Sequence, residues 1–149
     1  MIYLSLILKI LKMVMSMQFS LKSQKPASSF SILVVDDSLL LRQAYSHVLR
    51  SWGYEVDVAV DGCDGFESFK AGAYELVITD YEMPNCNGVE FLSRVRREIP
   101  SKAQIPFLLV TGFPILDLAS NSHGFVSVLA KPISLRVLRT QLELCLLRN

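Results

Sequence analysis

The sequence predicts an α/β protein: a single (βα)5 unit whose five strands form one open, doubly wound parallel sheet. Three observations predict it. Continuous apolar runs of strand length recur from residue 31 onward. Stretches with helical spacing lie between them. Residues that start or stop helices stand at their boundaries. Apolar strands separated by helices indicate a parallel sheet covered on both faces. At 149 residues, 51% of them hydrophobic, the chain is long enough to bury one core.

The elements follow in order. SILVV (31–35) is the first strand. Ser38 then caps a helix on which Leu41, Tyr45, Val48 and Trp52 share a face, and Gly53 stops it. YEVDVAV (54–60) is the second strand, followed by a helix over 64–71 with Phe66 and Phe69 ahead of Gly72. ELVIT (75–79) is the third strand. The helix after it spans 88–98, with Val89, Leu92 and Val95, and Pro100 closes it. PFLLV (106–110) is the fourth strand, and the stretch 114–123 after it is short and barely periodic. FVSVLA (125–130) is the fifth. Ser134 can cap a last helix that turns Leu135, Leu138, Leu142 and Cys145 inward.

The first 28 residues differ. MIYLSLILKILKMVMSMQF is apolar but interrupted by Lys9 and Lys12. Two mid-span lysines, each costing about 2.5–3.5 kcal/mol, argue against a membrane-spanning helix. A signal peptide would carry its positive charge before the apolar run. Ser5, Lys9, Lys12 and Ser16 form one narrow polar stripe on an otherwise apolar helix. Such a helix can pack on a partner or a second copy; contact with a membrane surface through residues 1–19 stays open. Alternatively Met13, Met15 or Met17 is the true start and the segment is not native. SLKSQKPASS reads as a linker, so the chain divides into a leader (1–28) and a domain (29–149).

A net charge of +1 carries no basic excess, which excludes a nucleic-acid-binding composition. Cys63, Cys86 and Cys145 are odd in number and lack C-x-x-C spacing. They read as reduced thiols of a cytoplasmic protein, with Cys86 an incidental loop residue. His47 reads as a helix-surface residue, and His123 has no special role.

Doubly wound sheets bind ligands at the carboxyl ends of their strands, where strand order reverses. Strand one ends in Asp36-Asp37, strand three in Asp80, strand four in Thr111 and strand five in Lys131-Pro132. Singly, each has an ordinary explanation as a turn cap, a packing residue or a solvated lysine. Jointly they place three carboxylates, a hydroxyl and an ammonium on one rim. Carboxylates so close repel and raise one another's pKa unless a cation lies among them. All-oxygen ligands suit Mg2+. A carboxylate nucleophile can form an acyl phosphate, with a metal and a lysine offsetting the phosphoryl charge.

With LVVDDS, LVITDYEMPNCNG, LLVTG and LAKP in this order, the chain from residue 30 to 147 resembles the receiver domain of two-component response regulators, the chemotaxis-regulator or flavodoxin-like fold. The resemblance implies Asp80 as phosphoacceptor and Mg2+ held by Asp36, Asp37, Asp80 and the backbone carbonyl of Glu82. It implies Thr111 and Lys131 as phosphoryl contacts, a cis bond before Pro132, and no enzymatic activity beyond self-phosphorylation and dephosphorylation. It implies a histidine kinase or histidine phosphotransfer protein as donor and a downstream protein as target. Gly88 would permit an unusual backbone conformation or a close approach.

Three departures accompany it. Val128 stands where the family carries an aromatic switch residue, with Phe125 three positions earlier. The stretch between Thr111 and Lys131 is short. Glu82 and Phe113, each two places past a site residue, suggest an altered dephosphorylation rate. No output domain follows the last helix, so the expectation is a stand-alone phosphorylation switch. The alternative is a degenerate receiver acting as a phosphorylation-independent interaction or dimerisation module. A phosphoaspartyl hydrolase would want D-x-D on the first strand, and a nucleotide-binding fold a glycine-rich turn after it; neither is present.

Overall fold

A computed structural model describes Ile7, Lys9, Ile10, residues 30–112 and residues 124–147. Five strands alternate with helices: β1 Ser31–Val35, α1 Leu39–Ser51, β2 Glu55–Ala59, α2 Gly62–Ala71, β3 Leu76–Thr79, α3 Gly88–Glu98, β4 Phe107–Thr111, β5 Ser127–Ala130 and α4 Leu135–Leu146. They form one sheet in the order β2-β1-β3-β4-β5, with every pairing parallel. The expected fold is therefore the observed one. The chain leaves β1 toward β2 on one side and returns to β3 on the other, so strand order reverses between β1 and β3.

Because strand side chains alternate in direction, β1 feeds two apolar layers. Leu33 and Val35 join Phe66, Phe69, Phe91 and Phe107 on the face covered by α2 and α3. Ile32 and Val34 join Tyr45, Leu49, Leu138 and Leu142 on the face covered by α1 and α4. Five phenylalanines and Tyr74 fill the first layer, with the Phe91 and Phe107 rings edge-to-face at 5.0 Å. β1, β3 and β4 read as unbroken apolar runs because both of their faces are covered. β2 is an edge strand, and Val58 is exposed there.

Three of the four described α-helices carry a side-chain N-cap, in one case earlier than expected. The Ser38 hydroxyl accepts from the Leu41 N–H at 3.4 Å, and α1 stops at Trp52-Gly53, where Gly53 has φ +94°. α2 begins at Gly62 rather than 64, since Asp61 accepts from the N–H groups of Cys63 and Asp64, both at 2.9 Å. α3 begins at Gly88 through a reciprocal capping box between Asn87 and Glu90. Pro100 opens a short 3-10 turn, Pro100–Lys102, after α3 has ended. Ser134 occupies the cap position of α4 but makes no side-chain capping bond. On α4 the half-buried Cys145 is joined by buried Leu146 on the inner face. β5 starts at Ser127; Phe125 before it is buried in the first layer.

The expected weak helix at 114–123, Phe113 and His123 lie outside the described residues. His47 is exposed on α1. Of the leader, Ile7, Lys9 and Ile10 are helical. Ile10, together with Trp52, packs against Val48 of α1 and Leu135 of α4, and Lys9 is exposed. Among the described residues no helix is long and apolar enough to cross a membrane.

Candidate functional site

The site forms where β1 and β3 run side by side past the strand-order reversal. The ladder between them continues one step beyond the strands: the Asp80 N–H donates to the Val35 carbonyl at 2.9 Å. That bond sets Asp80 beside Asp36. Asp36 is held in turn, its N–H donating to the Ala59 carbonyl at 3.2 Å. Its Oδ1 accepts from the Ser38 N–H at 2.8 Å, and its carbonyl from Arg42 Nη1 at 2.6 Å. Asp36 is 2% exposed, whereas neighbouring Asp37 faces solvent.

Two further strand ends complete the rim. The Lys131 N–H donates to the Thr111 carbonyl at 2.8 Å, so β4 and β5 deliver these residues together. The Lys131–Pro132 bond is cis. Lys131 Nζ donates to Asp36 Oδ2 at 2.8 Å and to Asp80 Oδ2 at 3.0 Å. Its side chain is only 13% exposed, so it is not the solvated lysine of the ordinary explanation. Thr111 is buried at the end of β4. One oxygen from each of Asp36, Asp37 and Asp80 lies within 4.8 Å of the others. All six predicted positions (Asp36, Asp37, Asp80, Glu82, Thr111 and Lys131) line one cavity of about 380 Å³.

Electrostatics here depart from the sequence expectation in their cause. Burial is the largest influence raising the Asp80 carboxyl above its ordinary range. The Lys131 ammonium opposes it, and the Asp36 charge adds to it. Mutual repulsion is thus secondary to desolvation. Burial also works against the charged form of Lys131, but its bonds to Asp36 and Asp80 outweigh that and hold its pKa above the usual lysine value. Beneath the rim, the Tyr45 phenol is pushed up by burial and then by the Asp36 and Asp80 charges. Lys131 Nζ bridges two of the three carboxylates and offsets part of their charge.

A small hard cation fits this donor set. The three acids offer only oxygen, and their 4.8 Å mutual limit is close to the span of about 4.2 Å across an octahedral Mg2+. Among the described residues no histidine or cysteine joins the cluster, and its all-carboxylate donor set is of the kind that suits a hard cation.

The loop after Asp80 is fastened from three sides. Tyr81 N–H donates to Asp80 Oδ1 at 2.7 Å, Thr79 Oγ1 donates to the Asp80 carbonyl at 3.0 Å, and Gly88 N–H donates to the Tyr81 carbonyl at 2.9 Å. Gly88 has no positive φ. Its role is close approach: a Cβ there would fall inside the contact radius of the Asp80 carbonyl oxygen. Asn85, with φ +67°, donates from Nδ2 to Asp61 Oδ2 at 2.9 Å, tying this loop to the start of α2. Cys86 is buried there, and burial followed by the neighbouring Cys63 thiol pushes its pKa up to about 12. It is an inert packing residue. Val128 is half-buried against the first apolar layer, so no ring stands at that position.

Sequence reasoning missed Asp61, Asn85 and Arg42 as supports, and Ile7 among the residues lining the cavity. Asp61-Gly62 ahead of a helical stretch and the N-x-x-E box at 87–90 were readable capping signals. Nothing local marks Arg42 or Ile7.

With this geometry in place, the comparisons are specific. Residues 32–143 match the family model of the response regulator receiver domain, and the chain belongs to that family. The chemotaxis protein CheY of Treponema pallidum is 34% identical over 114 residues, 74% of this chain and 78% of that protein. The cyclic di-GMP phosphodiesterase response regulator RpfG of Xanthomonas campestris pv. campestris is 34% identical over 123 residues, 80% of this chain and 32% of that protein. The chain spans about a third or less of the length of several curated relatives it matches. Among solved structures, the chemotaxis response regulator CheY4 of Vibrio cholerae aligns with TM-score 0.72 and 29% identity, covering 79% of this chain and 99% of that one. The response regulator TrrA of Thermotoga maritima, solved in complex with Mg2+-BeF, aligns with TM-score 0.70 and 27% identity, covering 78% and 98%. Residues 32–143 are thus a receiver domain of the kind used in phosphorelay signalling, with the acidic cluster of Asp36, Asp37 and Asp80 at its strand ends.

Proposed function

We propose that this chain accepts one phosphoryl group on Asp80 from a phosphohistidine of a histidine kinase or phosphotransfer protein, and thereby switches its affinity for a downstream protein. In this reading residues 29–149 are the receiver domain, residues 1–28 its leader, and the protein works in the cytoplasm without contacting nucleic acid. The observation that carries it is the Lys131 ammonium bridging Asp36 and Asp80 while three carboxylate oxygens converge within 4.8 Å.

The chemistry follows from these groups. Asp36, Asp37, Asp80 and the Glu82 carbonyl would hold Mg2+. When bound, that ion supplies charge neutralisation for the phosphoryl oxygens. An Asp80 carboxylate oxygen attacks phosphorus and forms the P–O bond. The P–N bond of the donor breaks, its electron pair stays on the imidazole nitrogen, and that nitrogen takes up a proton. Asp80 must be ionised to attack, and Lys131 counters the burial that favours its neutral form. The Thr111 hydroxyl donates to a phosphoryl oxygen, and Lys131 exchanges its contact with the Asp80 carboxylate for one with a phosphoryl oxygen. A partner that binds this arrangement better shifts the population toward it.

The test is Mg2+-dependent labelling with acetyl phosphate, read as the mass of one added phosphoryl group and lost in Asp80→Asn. A native chain that stays unlabelled rejects the proposal. Val128, with no ring at the switch position, favours a second reading: a receiver that binds its partner irrespective of phosphorylation. Equal partner affinity with and without phosphoryl would select it.

A further inference from the structure

A second groove, of about 500 Å³, lies between α1 and the outer edge of β2 and shares no described lining residue with the cavity at Asp80. Its apolar part is Leu39, Val58 and Val60, which are 61%, 44% and 48% exposed. Exposed apolar residues scattered singly need no explanation, but three gathered in one concave patch mark a contact surface. Arg42, His47 and Arg50 also line it, and no acid is among its described lining residues. Arg42 Nη1 donates to the Asp36 carbonyl and Arg50 Nη2 to the Val56 carbonyl, both at 2.6 Å. A guanidinium has five N–H donors, so both arginines keep the capacity to pair with a carboxylate. Arg42, Ser46 and Arg50 follow at steps of four along one face of α1. Ser46 is 6% exposed, and its hydroxyl has no hydrogen-bond partner among the described residues. Buried polar groups are normally satisfied, so an acceptor is wanted there.

The backbone decides the form of the occupant. The Glu55 N–H donates to the Phe30 carbonyl, and the Ala59 carbonyl accepts from the Asp36 N–H, so these residues face β1. By alternation Val56, Val58 and Val60 turn their main-chain groups to the open edge. Arg50 already holds the Val56 carbonyl, and Asp64 Oδ2 accepts from the Val60 N–H at 3.0 Å. An added strand would have to displace both, whereas a helix laid in the groove needs no ladder bonds. We propose that this groove is a docking site for an acidic amphipathic helix of a partner protein, its apolar side on Leu39, Val58 and Val60 and its carboxylates on Arg42 and Arg50. Charge selects this occupant over the nearer ones. The chain's own first 28 residues carry Lys9, Lys12, Lys22 and Lys25 and no acid. A second copy docked through the same groove would set arginines against arginines. The site does not depend on Asp80 being a phosphoacceptor.

The test is fluorescence anisotropy of the full chain with a labelled helical peptide that carries leucine at i, i+3, i+4 and i+7 and glutamate on its other side. The same peptide with lysine for glutamate is the comparison. The native chain is expected to bind the acidic peptide saturably and the lysine peptide about tenfold more weakly, with the preference fading as salt rises. Leu39→Gln is expected to weaken binding of the acidic peptide on the order of tenfold. Arg50→Glu is expected to weaken it likewise and to strengthen binding of the lysine peptide, a reversal that a lost fold does not produce. Trp52 emission and the urea midpoint check that both variants fold. No saturation with the acidic peptide, equal affinity for both peptides, or native affinity in both variants overturns the proposal. A native dimer in sedimentation that Leu39→Gln dissociates overturns the occupant and assigns the groove to a second copy.

Discussion

Replacing Gly88 with alanine is expected to displace Asp80. A Cβ at Gly88 would overlap the Asp80 carbonyl oxygen, lie 3.2 Å from its carbonyl carbon and 3.4 Å from Leu109 Cδ1. Carbon atoms pack best at about 3.5–4.0 Å. Neither side can yield by a rotamer change, because the main obstacle is backbone. Asp80 is pinned by its N–H bond to Val35, and Gly88 by its N–H bond to Tyr81. One of the two must move, on the scale of an ångström. Such overpacking costs about 1–3 kcal/mol, and at most about 1 kcal/mol returns through the better helix propensity of alanine. The expected net destabilisation is about 1–2 kcal/mol, measured as a lowered urea midpoint followed by Trp52 emission. The effect on chemistry is larger, because misplacing a reacting group by 1 Å can cost on the order of 10²-fold in rate. Initial rates of acetyl phosphate labelling measure that. A Gly88→Ala chain with native midpoint and native rate refutes the close-approach argument.

Other outcomes follow from the same contacts. Lys131→Met leaves Asp36 and Asp80 without their shared ammonium, and is expected to cost about 3 kcal/mol at pH 7 in chelator, read from the urea midpoint; an unchanged midpoint would show that Lys131 is not their counterion. Asp61→Ala removes the cap of α2 and the bond to Asn85, for an expected loss of about 1–2 kcal/mol. The Asn85 bond first, then the Asp64 and Cys63 N–H groups, hold the Asp61 pKa below its ordinary 3.8. The ionised form is therefore the one the fold favours. Its contribution is present above that value and fades as pH falls through the lower folded value. The stability gap between native and Asp61→Ala chains should be level at neutral pH and shrink below about pH 4. Glu82→Asn is expected to change the lifetime of the phosphorylated protein, followed as inorganic phosphate release; identical lifetimes end that idea.

Much of this molecule was legible in its linear pattern. Strands β1, β3 and β4 were readable because both of their faces are buried, and that demands unbroken apolar runs. The site was readable because those runs stop at Asp36, Asp80, Thr111 and Lys131, residue types that a strand end does not need for packing. Gly88 was readable as a tight place, though only coordinates show that it makes room for the Asp80 carbonyl rather than for a positive φ.

Other features depend on neighbours distant in the chain. Lys131 lies 95 residues from Asp36, and its place as their resident cation follows from where β5 sits in the sheet. The leading influence on Asp80 is burial, which sequence spacing does not report. Ile10 of the leader packs against Val48 and Leu135, a contact that the leader's own pattern leaves open. Periodicity and capping are local, so the sequence by itself determined the elements and the residues at their ends. Strand order, desolvation and docking are sums over contacts from every element, and only the tertiary structure decided those.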